Sequence, residues 1–485
     1  MHTSKQLAER RKRQVGTILL MVFDVSMFIA SFKLAVALRV WVYPKLYEGF
    51  YPPSIHLFNT MEFWWFFAIW LFFFIYEGLY SEVMPYWDEA RKVATASALA
   101  TVGVFVVVSI GKLSGNVSRT VIVSMGIMLV FIYPFIRIEI KALLRMAGLL
   151  TRRVLILGAG KTGHLILNTM RKEPNLGYEV IGFLDDDPEK HGTAIEGVDV
   201  LGPLSQAEDI IRDASISDIV IAMPGAQGQF HKDLINRLQH ETENILFIPD
   251  LFGLAVLGIT VQHFFNEQAF ALQMKNNLAH PLNSYLKLVF DYSLSAALLV
   301  AIALPMAAMA IVIKLTSRGP VLYRHERMGR LCAPFQCIKF RTMYADADQR
   351  LEQILKTDPD ARNEWESKQK LPNDPRITPV GRLLRKTSMD ELPQMFNVLK
   401  GEMSLIGPRP VTAKEIDDHY KEMAKHCFQV LPGITGLWQV SGRSNTSYDY
   451  RIALDSWYVR NWNIWLDIVI LLKTVKVVFR KEGAM

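Results

Sequence analysis

The chain has 485 residues, 51% hydrophobic and 11% aromatic, and its 54 Lys and Arg outnumber 47 Asp and Glu to leave a formal charge of +7. That length exceeds one small domain, and three irregularly spaced cysteines (Cys332, Cys337, Cys427) exclude a disulfide framework or cysteine-built zinc site and fit a reduced cytosolic face. The apolar fraction alone excludes nothing, because soluble proteins reach it; its concentration in blocks carries the information.

Four blocks, 15–42, 62–80, 93–111 and 120–137, approach the roughly 20 apolar residues that a membrane-spanning helix needs. Buried helices of a soluble protein are the alternative, but Trp and Tyr at several block edges suit the membrane interface. The first block is expected to stay on the mature chain, being too long for a cleavable signal and lacking a small-residue cleavage site. Basic residues favour the cytoplasmic side. Lys5, Arg10, Arg11, Lys12 and Arg13 precede the first block, Arg91 and Lys92 separate the second and third, and Arg137, Lys141, Arg145, Arg152 and Arg153 follow the fourth. The expectation is a four-helix transmembrane bundle over 1–145 with both ends in the cytoplasm. Asp24 and Lys33, too far apart to pair along one helix, are expected to face the bundle interior or snorkel to its edge. Asn116 (NVS) and Asn445 (NTS) match a glycosylation pattern by chance.

From 146 to 278 the character changes. "TRRVLILGAGKTGHLILNTM" reads as a buried strand, a glycine-rich turn and a helix start, with Gly158, Gly160 and Gly163 in G-x-G-x-x-G and Asp185 ending a second strand, "VIGFLDDD". Further strands at "DIVIAMP" and "NILFIPD" complete a Rossmann-like α/β domain. Either the helix N-terminus binds a pyrophosphate and Asp185 a ribose hydroxyl, or the glycines only permit tight strand-to-helix packing. An NAD-dependent sugar-nucleotide dehydratase would carry the same turn, but its usual Tyr-x-x-x-Lys pair is missing: Tyr178 is the only tyrosine between 151 and 275, and four residues on stands Gly182.

A fifth apolar stretch, 285–320, is long enough to span. Lys287 lies at one end, however, and Lys314, Arg318, Arg324, Arg327 and Arg330 crowd the other, so both flanks ask for the cytoplasm. Pro305 inside the run removes a backbone hydrogen bond. The expectation is a helix broken at Pro305 that enters one leaflet and returns; a straight span would put the remaining chain outside.

The last segment, 279–485, joins anion-binding and acidic groups. Lys339 and Arg341 stand two apart on an expected strand and so share a face, as suits gripping a phosphate or, equally, a solvated edge. In "RKTSMDELPQ" Ser388 and Glu391 match a capping box, although Pro393 would then interrupt the helix unless it starts nearer Asp390. That helix should end at Gly401. A cap explains one carboxylate, not the pair Asp390 and Glu391 set among Arg385, Lys386 and Arg409. Neighbouring helical residues point about 100° apart, so the two cannot share one proton neatly, yet both can reach a phosphate-sized ligand. One would attack phosphorus and the other bind a hard cation such as Mg²⁺.

At these residues the chain resembles the bacterial polyprenyl-phosphate hexose-1-phosphate transferases, which are monotopic phosphoglycosyl transferases. The motifs "KFRTM", "DELPQ", "GPRP" and "PGITG" carry the resemblance; the bundle and α/β domain ahead of them match the large form, and "PGITGLWQVSGRS" with "DSWYVRNW" is most similar to undecaprenyl-phosphate galactose phosphotransferases. The resemblance implies that Asp390 is the nucleophile and Glu391 helps bind Mg²⁺. It implies a ping-pong reaction in which UDP-hexose gives its phosphosugar to Asp390, UMP leaves, and undecaprenyl phosphate takes the phosphosugar. Lys339, Arg341, Arg385 and Arg409 would hold phosphates, and Gln439 and Arg443 nucleotide or sugar, while His325, His419 and His426 are read as surface or packing residues. Relatives commonly break the re-entrant helix at Ser-Pro, whereas here the pair is Leu304-Pro305. Expected partners are UDP-hexose, undecaprenyl phosphate, membrane lipid and a second copy in a dimer, with no nucleic acid. The site would lie on the cytoplasmic face of the inner membrane, with the tail "NWNIWLDIVILLKTVKVVFRKEG" as an interfacial helix, and the reaction would open polysaccharide synthesis. Glucose is the alternative sugar, and a non-enzymatic regulator of polysaccharide export the alternative class.

Overall fold

The computed structural model describes residues 4–46, 64–111, 118–226, 228–250, 260–264, 269–273, 277–358, 362–363, 365, 371, 374–442 and 447–480. The chain divides into two compact units, Met1–Asp250 and Leu251–Met485.

The first unit begins with apolar helices: α1 (Ser4–Ala37, continued through a π turn at Leu38–Val42), α2 (Trp64–Tyr76), α3 (Tyr86–Ile110), and α4 (Arg119–Phe131) with α5 (Tyr133–Met146), which meet at a 51° bend. They share one apolar core in which Phe28, Phe32, Trp70, Phe74, Val93, Met125 and Tyr133 are buried. Lys5–Leu46 and Tyr86–Ile110 are each long and apolar enough to cross a membrane, as is the bent pair taken as one span; Trp64–Tyr76 is shorter, at 13 residues.

Asp24 faces the interior of this packing and Lys33 faces outward. Asp24 accepts from the Tyr80 hydroxyl at 2.5 Å and from the Tyr133 hydroxyl, and its charge is paired with Arg137, read from sequence as a cytoplasmic flank but fully buried on α5. Its guanidinium bonds Asp24, Glu89 and, at 3.0 Å, the Leu79 carbonyl oxygen. Lys141 donates to the second oxygen of Glu89 at 2.7 Å, and the buried Asn175 of the α/β domain does so at 2.7 Å.

That domain is a six-stranded sheet of order β3-β4-β2-β1-β5-β6, built from β1 (Arg152–Leu157), β2 (Tyr178–Leu184), β3 (Ala194–Ile195), β4 (Val198–Gly202), β5 (Asp218–Ile221) and β6 (Asn244–Phe247). All pairings are parallel except β3 with β4. Helices α6 (Lys161–Lys172), α7 (Ala207–Asp213) and α8 (Gly228–Leu238) follow β1, β4 and β5. This is the doubly wound order expected from the alternating pattern. The expected division at residue 145 is not a division between compact units, because the polar seam around Asn175 joins helices and sheet.

The second unit opens with a hairpin of β7 (Thr260–Phe264) and β8 (Ala269–Gln273). Helix α9 (Pro281–Thr316) then runs 36 residues without a gap across Pro305, so any bend there does not divide it into two helices as the sequence led one to expect. One missing N–H removes only a single bond from a ladder that the flanking turns carry on. Leu304, Val300 and Leu315 project outward, while Met306 and Ile313 pack on Phe340 and Leu384.

The rest of the unit comprises β9 (Leu322–Met328) antiparallel to β10 (Pro334–Phe340), α10 (Pro379–Thr387), α11 (Gln394–Leu399), the parallel pair β11 (Ser404–Ile406) and β12 (Gly433–Thr435), and α12 (Tyr448–Asn461) and α13 (Ile464–Arg480). Two cations fasten α9 to it, Arg341 buried and Lys287 half-buried. Lys287 donates to the Ile406 carbonyl oxygen at 3.0 Å and to Asp467 of α13 at 2.8 Å. Arg341, one residue past β10, donates at 2.8 Å to the carbonyl oxygens of Ser317 and Arg318, at the C-terminal end of α9.

Removing Arg137 alone leaves Asp24 and Glu89 buried without the cation they share, a change that typically costs about 3–5 kcal/mol. Arg137→Met is expected to lower the thermal unfolding temperature in detergent clearly, whereas Lys33→Met, on an exposed position, should leave it within error.

Candidate active site

The expected capping box does not form. Helix α10 starts properly, with Pro379 in its first turn and the Thr378 hydroxyl oxygen accepting from the Gly381 amide at 2.8 Å. It stops at Ser388, whose backbone is left-handed (φ 55°, ψ 19°) and whose side chain makes no cap. For a residue other than glycine that conformation costs about 1–2 kcal/mol. It turns the chain into a single 3₁₀ turn, Met389–Glu391, ahead of α11. Pro393 is the N-cap of α11, and Gly401 just beyond its end is left-handed (φ 77°). The carboxylate pair thus sits on a short turn between two helices rather than inside the first turn of one.

Glu391 is tied to the sheet: its Oε1 accepts from Lys339 on β10 at 2.7 Å, and Arg409 Nη2 lies 3.6 Å from the same oxygen. Asn397 fixes this register. Fully buried on α11, its carboxamide accepts from the Ile338 amide at 3.0 Å and donates to the Gln336 carbonyl at 2.8 Å, locking α11 onto β10. Asp390 faces Lys339 and Arg385 electrostatically. Burial first, then the Glu391 charge, push its carboxyl above the usual aspartate value, and Lys339 and Arg385 partly counter this. Arg385 is held by the Thr342 hydroxyl at 3.0 Å. Burial lowers its own pKa, opposed by Asp390 and Asp374.

A cleft of about 260 Å³, open to solvent, is lined by Arg327, Cys337, Lys339, Glu391, Gln394 and Arg409 among others. Three cations and one carboxylate make it a site for an anion. Burial pushes the Cys337 thiol up, which disfavours its thiolate.

Of the residues singled out from sequence, Asp390, Glu391, Lys339, Arg385 and Arg409 come together. Arg341 does not: its guanidinium is spent on the end of α9, because β10 ends at Phe340 and the side chain turns inward. Gln439 donates to the Ile434 carbonyl at 3.3 Å and does not line the cleft. Arg443 lies outside the described residues. Arg327 and Asn397 escaped the sequence reading, the first as one cation in a basic run and the second as an unremarked helical position.

In the α/β domain the glycine turn forms as expected. Gly158 has φ 104°, and a Cβ on Gly163 would lie 2.2 Å from the Gly158 carbonyl oxygen, so close helix-to-strand packing accounts for both. Gly160 is the N-cap of α6. The Asp185 carboxylate accepts from the Ala159 amide at 2.8 Å, the Asp187 amide at 3.0 Å and Lys190 at 3.2 Å. Burial alone would raise its pKa, but the amides of Asp187 and Ala159 and the Lys190 ammonium hold it below the usual range. Asp185 closes the turn on itself, which agrees with the packing reading.

Residues 282–481 match the family described as bacterial sugar transferase, and residues 76–249 match one described as a CoA-binding domain. Over 84% of both chains the protein is 38% identical to a UDP-galactose-lipid carrier transferase of Erwinia amylovora. It is 36% identical, again over 84% of both, to an undecaprenyl-phosphate galactose phosphotransferase of Salmonella typhimurium. Over 70% of both it is 32% identical to a UDP-glucose:undecaprenyl-phosphate glucose-1-phosphate transferase of Escherichia coli. These similarities show that the chain belongs to the bacterial sugar transferase family and is a phosphoglycosyl transferase, which agrees with a carboxylate pair set among cations.

Proposed function

We propose that this enzyme transfers hexose 1-phosphate from a UDP-hexose to undecaprenyl phosphate and releases UMP, with Asp390 as nucleophile. The observation that carries the reading is the dyad on one turn, with Glu391 paired to Lys339 and Asp390 left facing Lys339 and Arg385. Galactose is the proposed sugar, because the two relatives similar over 84% of the chain carry it in their names, and glucose is the alternative.

In the first half-reaction an Asp390 carboxylate oxygen bonds the sugar-bearing phosphorus as its bond to the bridging oxygen breaks, and that electron pair leaves on UMP. In the second, a phosphate oxygen of the lipid attacks the same phosphorus and returns the carboxylate. Lys339, Arg385 and Arg409 neutralise charge on the phosphate oxygens as it builds up. The described residues contain no cluster of three or more metal-ligating side chains, which suits Mg²⁺, an ion commonly held by one or two carboxylates plus substrate phosphates. Glu391 is the proposed ligand, and the bound ion would supply further charge neutralisation on the phosphates.

We read α9 as re-entrant. Straight, 36 residues would extend about 54 Å, yet Lys287 near its start and Ser317 past its end are both fastened to this one compact unit. Its exposed Val300, Leu304, Ile311 and Leu315 would face lipid. The proposed setting is the inner membrane, with the dyad on the cytoplasmic face where a lipid phosphate and a soluble UDP-sugar can meet, as a dimer, in the step that opens polysaccharide synthesis. A four-helix transmembrane bundle at the N-terminus completes the reading.

Two outcomes are expected. Purified enzyme given a panel of UDP-sugars, undecaprenyl phosphate and Mg²⁺ should release UMP from one preferred donor, and Asp390→Asn should reduce release to background; equal release by the variant would remove Asp390 as nucleophile. The acid limb of UMP release, at fixed Mg²⁺, should fall above the ordinary aspartate value of about 3.9, because only the carboxylate attacks and burial favours the acid. Lys339→Met removes a cation that lowers this pKa, so the limb should move to higher pH, along with a rate loss of about 10²-fold or more.

A further inference from the structure

Arg327 lies outside the constellation that the sequence suggested, yet it lines the same cleft as Lys339, Glu391 and Arg409. Its place follows from strand register. Arg327 on β9 is opposite Phe335 on β10, and His325 is opposite Cys337. Directly opposed residues of an antiparallel pair share a face, so Arg327, Cys337 and Lys339 all point to the cleft side. Lys339 is four residues along β10 from Phe335, which puts the two cations roughly 13 Å apart at the backbone. Arg409 lies between them in effect: it is 3.6 Å from Glu391 at one end, and its charge acts on Arg327 at the other. The cleft therefore holds a row of cations leading away from the dyad.

The Arg327 guanidinium is oriented before any ligand arrives. Nη1 donates to Glu415 at 3.1 Å and Nε to His325 Nδ1 at 3.1 Å. Glu415 is itself fixed by the Thr412 amide at 2.8 Å and the Tyr448 hydroxyl at 2.8 Å. Burial, then Arg327 and Lys339, push the His325 imidazole below its ordinary value, so it is neutral at pH 7 and can accept at Nδ1. Nη2 of Arg327 has no hydrogen-bond partner among the described residues. Two of its three nitrogens are thus anchored on one side while the third is left for the cleft.

A single phosphate at Asp390 needs cations around one point, not a row. A nucleoside diphosphate sugar has a second phosphate, and with the sugar-bearing one beside the dyad, whose Glu391 lines the cleft, the other comes within reach of the cations farther along it. On the function proposed above, we propose that Arg327 binds the phosphate that leaves with uridine, and that Glu415 and His325 are positioning residues holding its guanidinium toward it. When the bridging P–O bond breaks, its electron pair stays on the departing phosphate as added negative charge. A permanently protonated guanidinium can meet that charge without transferring a proton.

The test uses the full-length enzyme in detergent with UMP as the probe. UMP inhibition of UMP-forming turnover, followed through release of the lipid-linked sugar, is compared for the native chain, Arg327→Gln and Arg327→Lys. Loss of a charged hydrogen bond should weaken UMP inhibition by about tenfold to a hundredfold in Arg327→Gln. The lysine variant, which keeps charge but loses the anchored fork, should weaken it at least threefold. An inhibition constant does not change when part of the enzyme is merely misfolded, so a purely structural role would lower the rate and leave the constant alone. If Arg327→Gln gives too little active enzyme, Arg327→Lys decides: an unchanged constant overturns the assignment. A native enzyme that forms no UMP from any UDP-sugar would instead overturn the function on which the assignment rests.

Discussion

The catalytic unit depends on how helix α9 is fastened to it. Each of two cations joins the helix to a strand beside the candidate site. Lys287 binds the last carbonyl of β11, three residues before Arg409. Arg341 caps the end of α9 two residues after Lys339 on β10. Asp291 adds a third link, accepting from the Ser404 hydroxyl at 2.7 Å. Each bond leaves a charge in an apolar surround that only the correct docking satisfies. The position of α9 on the unit and the spacing of the cations in the cleft are therefore set together. A lipid phosphate carried at the level of the helix would meet a soluble sugar nucleotide at the dyad without any large movement of either.

The dyad resolves a conflict between two identical charges. Adjacent carboxylates repel, and burial makes this worse. The unit answers asymmetrically: Glu391 receives Lys339 directly and Arg409 nearby, whereas Asp390 has only the longer-range field of Lys339 and Arg385. A tight ion pair lowers a carboxylate's nucleophilicity, so on the proposed function Asp390 is the freer of the two to attack. The asymmetry comes from the left-handed Ser388, which ends α10 early enough to swing the turn toward β10, and from Asn397, which fixes α11 against that strand.

Much of this was legible in the sequence where the signal is local. Apolar blocks and the glycine turn are each encoded within some 20 residues and appear where expected, whereas the carboxylate pair, expected at a helix N-terminus, sits on a short turn between two helices. What failed were inferences about partners. Arg341 does share a face with Lys339 in an ideal strand, but the strand ends between them, and nothing local announces that the carbonyls of Ser317 and Arg318 wait there. Ser388 and Glu391 fit a capping box in spacing, yet a backbone flip that tertiary contacts stabilise overrode it. Arg327 and Glu415 are 88 residues apart. No periodicity links them, although the crowding of arginines after α9 was a visible sign that anions were to be met.

Arg137 teaches the same lesson at the other end of the chain. A basic residue after an apolar block reads as a flank, and by composition alone that is the better reading. Here it pairs with Asp24 and Glu89, and Glu89 in turn receives Asn175 from the loop before β2. Withdrawing the loop would remove one of the hydrogen bonds to a buried carboxylate, so this seam ties helices and sheet together within one compact unit. This also gives a physical reason why similarity to the second family begins at residue 76 and runs unbroken to 249, across the boundary that hydropathy drew. Asp185 closes its own glycine turn while Asn175 bonds the domain to the helices, so both of these polar contacts serve packing.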